Sequence, residues 1–172
     1  MERMDGAAAA SRTSEAFESF FDAERTRLLR ALYLLTGNRE EAEEVLQDAF
    51  LAVWLRWDRV AAMDEPVGYL YRTALNTHRS RLRRGVRVAR RAVGRAHGGD
   101  LFAEIEERDA LARALADLSP RRREAVVLTG LAELSSSEAA EVMGVTDVTV
   151  RRLAQDGRAQ LRRVLSVSDV DD

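Results

Sequence analysis

Arginine is the residue through which this chain can meet other molecules. All 27 basic residues are arginine, and lysine is absent. Nine of them lie between Arg72 and His97, where no acid occurs. Within a whole-chain net charge of -2, that block is a local +9. Attraction for phosphate follows the local field within a Debye length, not the chain total. Trp54, Trp57, Tyr69 and Tyr71 lie just ahead of the block or at its start. Aromatic rings stack on unpaired bases while arginines hold the backbone, which is how single strands are gripped. Tyr69 and Tyr71 stand two residues apart, so one helix cannot turn both inward, and one faces the surface. Trp54 falls on an apolar stripe and is expected in the core. A solvated helix face or a basic linker is the plainer reading of the arginine block.

Catalytic chemistry finds little support. With no cysteine there is no disulfide, thiol nucleophile or Cys-ligated zinc. The two histidines, His78 and His97, sit in or beside the arginine block and enter no metal-ligand spacing. No Gly-rich phosphate loop occurs. Glu40, Glu41, Glu43 and Glu44 cluster at a helix start, where carboxylates favour the helix dipole. No enzyme, cofactor or metal is therefore expected.

The elements that must carry these residues are helical. Ten glycines and two prolines in 172 residues leave few of the turns that sandwiches and barrels need. Phe17, Phe20, Phe21, Leu28, Leu32 and Leu35 recur at three- and four-residue steps until Gly37-Asn38 breaks the pattern. Asn38 and Glu41 have capping-box spacing. The stripe Ala42, Val45, Leu46, Ala49, Phe50, Val53, Trp54, Trp57 follows. Asp64 and Pro66 mark another start, continuing helically into the arginine block. A helix is expected from Leu101 to Leu118, and Ser119-Pro120 opens the next. Ser135 and Glu138 form a second capping box. Gly144 ends that short helix in a left-handed turn, and Thr146 caps the one that follows. Short helix, glycine turn and capped second helix is the helix-turn-helix pattern.

The expected fold class is all-α, with two small helical domains. A disordered N-terminus covers 1–13, the first domain 14–84, a basic linker 85–100, the second domain 101–166 and an acidic tail 167–172. The Ala7 to Ala10 run is too short for a secretory signal, and no apolar run approaches a membrane span, so a cytoplasmic protein is expected.

From about Phe17 to Leu165 the chain resembles the bacterial sigma factors of the extracytoplasmic-function type, in an actinobacterial-like branch. Leu46-Gln47-Asp48-Ala49-Phe50 with Trp54 is similar to the family's core-polymerase-binding helix. Pro66 through Asn76 is similar to its promoter-melting helix. Leu118-Ser119-Pro120-Arg121-Arg122-Arg123-Glu124, Leu134-Ser135 and Gly144-Val145-Thr146 are similar to its fourth-region helix-turn-helix. The resemblance implies a subunit that joins core RNA polymerase and directs promoter-specific initiation. It implies core contacts at Glu44, Gln47, Asp48 and Leu51. It implies downstream-element contacts at Tyr69, Arg72, Asn76, Arg79, Arg81, Arg83 and Arg84, with Asn76 on an unstacked base. It implies upstream-element contacts at Thr146, Thr149, Arg151, Arg152 and Arg158. An anti-sigma factor is a further partner the family implies.

The chain also departs from the family pattern. Tyr69 stands where tryptophan is usual, and Ser80 where aspartate is common. Leu153 and Asp156 replace basic residues, and Asp156 against DNA would repel phosphate. Gly157 inside a helix lowers stability by up to ~1 kcal/mol relative to alanine. A helix-turn-helix regulator that does not join polymerase is the competing reading, and a helical interaction module with no DNA binding is a third.

Overall fold

The computed structural model describes residues 2–88 and 109–168. The fold is all-α, with no strand among the described residues. The elements are α1 (Glu2–Thr36), α2 (Arg39–Trp54), α3 (Trp57–Val60), α4 (Pro66–Val88), α5 (Asp109–Ala116), α6 (Pro120–Gly130), α7 (Ser136–Met143) and α8 (Asp147–Ser168). Helix α1 runs through the stretch expected to be disordered, 1–13, from Glu2 onward. The alanine run there has the highest helix propensity of any residue and no proline interrupts it. Residues 89–100 of the expected linker, with His97, lie outside the described residues, as do 101–108 and 169–172.

Turn chemistry sets the element boundaries. Gly37 takes φ +67 and its amide bonds Tyr33 O at 2.8 Å, closing α1 in a left-handed turn. Asn38 Oδ1 then accepts from Glu41 N at 3.1 Å. The Glu41 carboxylate turns instead toward His78 Nδ1, 3.0 Å away on α4. A pattern that looks local thus serves a tertiary contact. Both halves of the second box form: Ser135 N donates to Glu138 Oε2 at 2.6 Å, and Glu138 N to Ser135 Oγ at 3.2 Å. The Ser135 hydroxyl and backbone hold the Glu138 carboxyl below its ordinary pKa. That increment of stability is present above the unfolded-state value and is lost as pH falls through the lowered one. At α6, Pro120 takes the first turn as expected, but the Ser119 hydroxyl makes no capping bond.

The first half buries Leu28, Leu32, Val45, Val53, Leu70, Tyr71 and Leu75 between α1, α2 and α4. Phe17, Phe20, Phe21, Phe50 and Trp57 add an aromatic cluster at one end. Trp54 corrects the expected core position: it is 41% exposed, with one face against Phe17 at 4.8 Å. Helix α2 ends at Trp54, so the chain turns there and Trp57 takes the buried place. The second half packs Leu115, Leu118, Leu128, Met143, Val150 and Leu161. The halves touch, α7 lying against α4 and α6 against α1.

Candidate nucleic-acid and partner interface

Helix α2 presents Glu44, Gln47, Asp48 and Leu51 on its exposed side. The helical period continues that row to Leu55 at the helix end. Leu51 is 56% and Leu55 72% exposed, an apolar pair beside carboxylates. Leu55 was not singled out from sequence, because it stands among apolar residues whose burial depends on where α2 turns.

Helix α4 carries a second row. Arg72, Asn76, Arg79 and Arg83 recur at four, seven and eleven residues and share one face. Arg72, Asn76 and Arg83 are exposed, and the Arg84 side chain lies outside the described residues. Tyr71 is buried at 1% exposure, and burial pushes its hydroxyl pKa up. Tyr69 is half-buried, the more accessible of the pair.

Two arginines expected on phosphate are held by carboxylates instead. Arg81 Nη2 donates to Asp48 Oδ2 at 2.7 Å, and Nη1 to Glu44. The hydrogen bond to Asp48, then that to Glu44, raises its pKa further and keeps it a fixed cation. Arg79 Nη2 donates to Glu124 Oε2 at 2.7 Å and Nε to Oε1 at 3.2 Å. Sequence spacing could not foresee either pair, since 33 to 45 residues separate the partners. Asn76 lines a polar cleft of about 520 Å³ with Asp48, Thr77, Ser80 and Arg81.

The helix-turn-helix is α7, a turn at Gly144 (φ +67) and α8. Thr149 N donates to Thr146 Oγ1 at 3.3 Å, and the two hydroxyls lie 2.8 Å apart. Arg151 pairs with Asp147 one turn back. Arg152 is exposed. Arg158 turns back to donate to Thr129 Oγ1 on α6 at 2.8 Å. Asp156 lies 3.7 Å from Arg122, which offsets the charge expected to repel phosphate. Val148, not singled out from sequence, is 65% exposed in the first turn of α8.

The arginine triplet is structural. Arg121 donates to Met143 O at 3.0 Å, closing the end of α7. Arg122 reaches Gln160 on α8 at 3.4 Å. Arg123 donates to Leu115 O at 2.8 Å, Ala116 O at 2.6 Å, Leu118 O at 3.3 Å and Leu35 O at 3.2 Å. Among the described residues no acid or histidine cluster is suited to a metal ion. None of their helices is long and apolar enough to cross a membrane.

Geometry thus defines an all-helical protein with a C-terminal helix-turn-helix and a basic, polar-lined helix in its first half. The family model for sigma-70 region 2 matches residues 20–97, and that for sigma-70 region 4 matches 108–161. The RNA polymerase sigma-E factor of Streptomyces avermitilis is 29% identical over 157 residues, covering 90% of this chain and 88% of that protein. The extracytoplasmic-function sigma factor SigE of Mycolicibacterium smegmatis is 32% identical over 152 residues, 81% of this chain and 58% of that protein. Among solved structures, CnrH, in complex with the cytosolic domain of CnrY, matches with TM-score 0.67 and 27% identity, covering 96% and 97% of the two chains. The Bartonella quintana sigma factor RpoE, in complex with the anti-sigma factor NepR, shares the fold with TM-score 0.74 at 23% identity, covering 89% and 98%. The chain belongs to the sigma-70 family, as an RNA polymerase sigma factor of the extracytoplasmic-function group.

Proposed function

We propose that this sigma factor acts in the cytoplasm as a promoter-specificity subunit and not as an enzyme. A first unit, 14–84, docks on core RNA polymerase and opens the downstream element, and a second, 101–166, reads the upstream element. The observation that carries this is the placement of two distinct rows on neighbouring helices. Apolar and acidic groups on α2 suit a protein partner, and arginines with Asn76 on α4 suit a nucleic acid. By analogy with the solved relatives, a regulatory protein of the anti-sigma kind is a further partner.

Glu44, Gln47, Asp48, Leu51 and Leu55 form the core-docking row. Replacing Gln47 and Asp48 together with alanine is expected to weaken core binding by about tenfold or more, the size of an interface hot spot. Helicity by circular dichroism stays unchanged, because both side chains are exposed. Unaltered affinity for core would favour the regulator that does not join polymerase.

On α4, Asn76 offers an amide donor and acceptor at the polar cleft, suited to the edge of an unstacked base. Arg72 and Arg83 hold the flanking phosphates, and Tyr69 offers a ring for stacking. Asn76→Ala is expected to lower strand opening, measured by permanganate reactivity, while closed-complex binding is retained. Normal opening in that variant removes Asn76 from the role.

On α8, Thr146, Thr149, Arg151, Arg152 and Arg158 supply polar contacts to the upstream duplex. Val148 supplies an apolar contact suited to a thymine methyl group. Substituting uracil for one upstream thymine is then expected to weaken binding by the wild-type holoenzyme several-fold. The holoenzyme carrying Val148→Gly should be insensitive to the same change. Equal sensitivity in both rules out the methyl contact.

A further inference from the structure

The arginine row of α4 has one member whose place is already taken. Arg79 falls on the same helical face as Arg72, Asn76 and Arg83, yet its guanidinium is engaged by Glu124 of α6, from the other half of the molecule. The contact is bidentate, with Nε and Nη2 each reaching a different carboxylate oxygen. That is the fork a guanidinium presents to either carboxylate or phosphate. The Glu124 side chain is only 12% exposed and that of Arg79 only 24%, so solvent and salt screen the pair only in part. Arg121 adds a second cation 3.7 Å from the same carboxylate.

We infer that Glu124 is an internal phosphate mimic, filling the DNA-backbone site at Arg79 until nucleic acid displaces it. One pair of donor atoms cannot serve a carboxylate and a phosphate together. Backbone contact along the whole α4 row therefore requires α6 to withdraw. Withdrawal also breaks two other links between the halves: Arg123 to Leu35 O, at 3.2 Å, and Arg27 to Glu133, at 3.6 Å. Closure and occupation of the row by DNA are thus mutually exclusive, and raised salt weakens both. This inference rests on the reading that the α4 row contacts promoter DNA.

The chain has no cysteine, so dyes can be placed on cysteines introduced at exposed Ala61 and Arg162. Energy transfer in the full chain then reports closure, and anisotropy of a labelled single-stranded oligonucleotide reports binding. Glu124→Gln is expected to lower energy transfer and to strengthen oligonucleotide binding roughly fivefold, the scale of a partly screened ion pair. Arg79→Gln should lower energy transfer equally and gain no affinity, since it removes the phosphate site as well. Glu124→Asp keeps the charge but shortens the reach; it should fall between wild type and Glu124→Gln, and it covers the case in which the amide variant fails to fold. Unchanged energy transfer in folded variants overturns the latch. Opening without a gain in affinity overturns the mimicry while leaving the contact. If every variant opens yet none, wild type included, binds the oligonucleotide, the α4 reading fails and the mimicry falls with it.

Discussion

Arg123→Ala should destabilise the protein by about 2–4 kcal/mol, more than any surface arginine is expected to contribute. Its guanidinium gathers the carbonyls of Leu115, Ala116 and Leu118 at the end of α5 and reaches Leu35 O near the end of α1. The last carbonyls of a helix have no partner within it. Here one planar cation satisfies several of them and ties two helices together. Charge-assisted bonds to such acceptors contribute about 1.5–3 kcal/mol each, less for those reached by water. Arg123→Lys should recover less than half of the loss, because a point-like ammonium cannot span four carbonyls in different directions. Urea unfolding followed by circular dichroism measures both variants. A shift within ~0.5 kcal/mol for Arg123→Ala would show that water replaces the guanidinium without penalty.

The second large effect reverses what sequence leads one to expect. From helix propensity alone, Gly157→Ala should stabilise α8 by up to ~1 kcal/mol. In the structure Gly157 is buried, and a Cβ there would sit 2.5 Å from Val126 Cγ2 on α6. Valine in a helix has one strongly preferred rotamer and cannot swing aside. Helix α8 must therefore move off α6, or Val126 must strain. Overpacking of this kind costs about 1–3 kcal/mol and outweighs the propensity gain. Thermal unfolding of Gly157→Ala is expected to show a lower midpoint. The double variant Gly157→Ala with Val126→Ala should regain part of it, because the obstructing methyl is gone. A higher midpoint in the single variant would mean that the helices separate freely.

Much of this molecule was legible in its residue order. The apolar steps from Phe17 to Leu35 and from Ala42 to Val53, the Pro66 and Pro120 starts, and the Ser135–Glu138 box with Gly144 are local signals. They depend on neighbours within one or two turns, so spacing alone identifies them. The motif order from the α2 helix through the helix-turn-helix likewise carries the resemblance to the family in residue order alone.

Tertiary structure decided what those residues touch. Glu41 was legible as half of a cap but pairs with His78; Arg79 and Arg81 were legible as phosphate ligands but hold Glu124, Glu44 and Asp48. Gly157 was legible as a weakness but permits close approach of two helices. Helix-forming tendency and periodicity act over a few residues, whereas a charge or a missing methyl takes its meaning from whatever the fold brings beside it. Residue order alone therefore determined the all-helical frame and the family, and only the approach of α4 to α2 and α6 decided which of its arginines bind the protein itself.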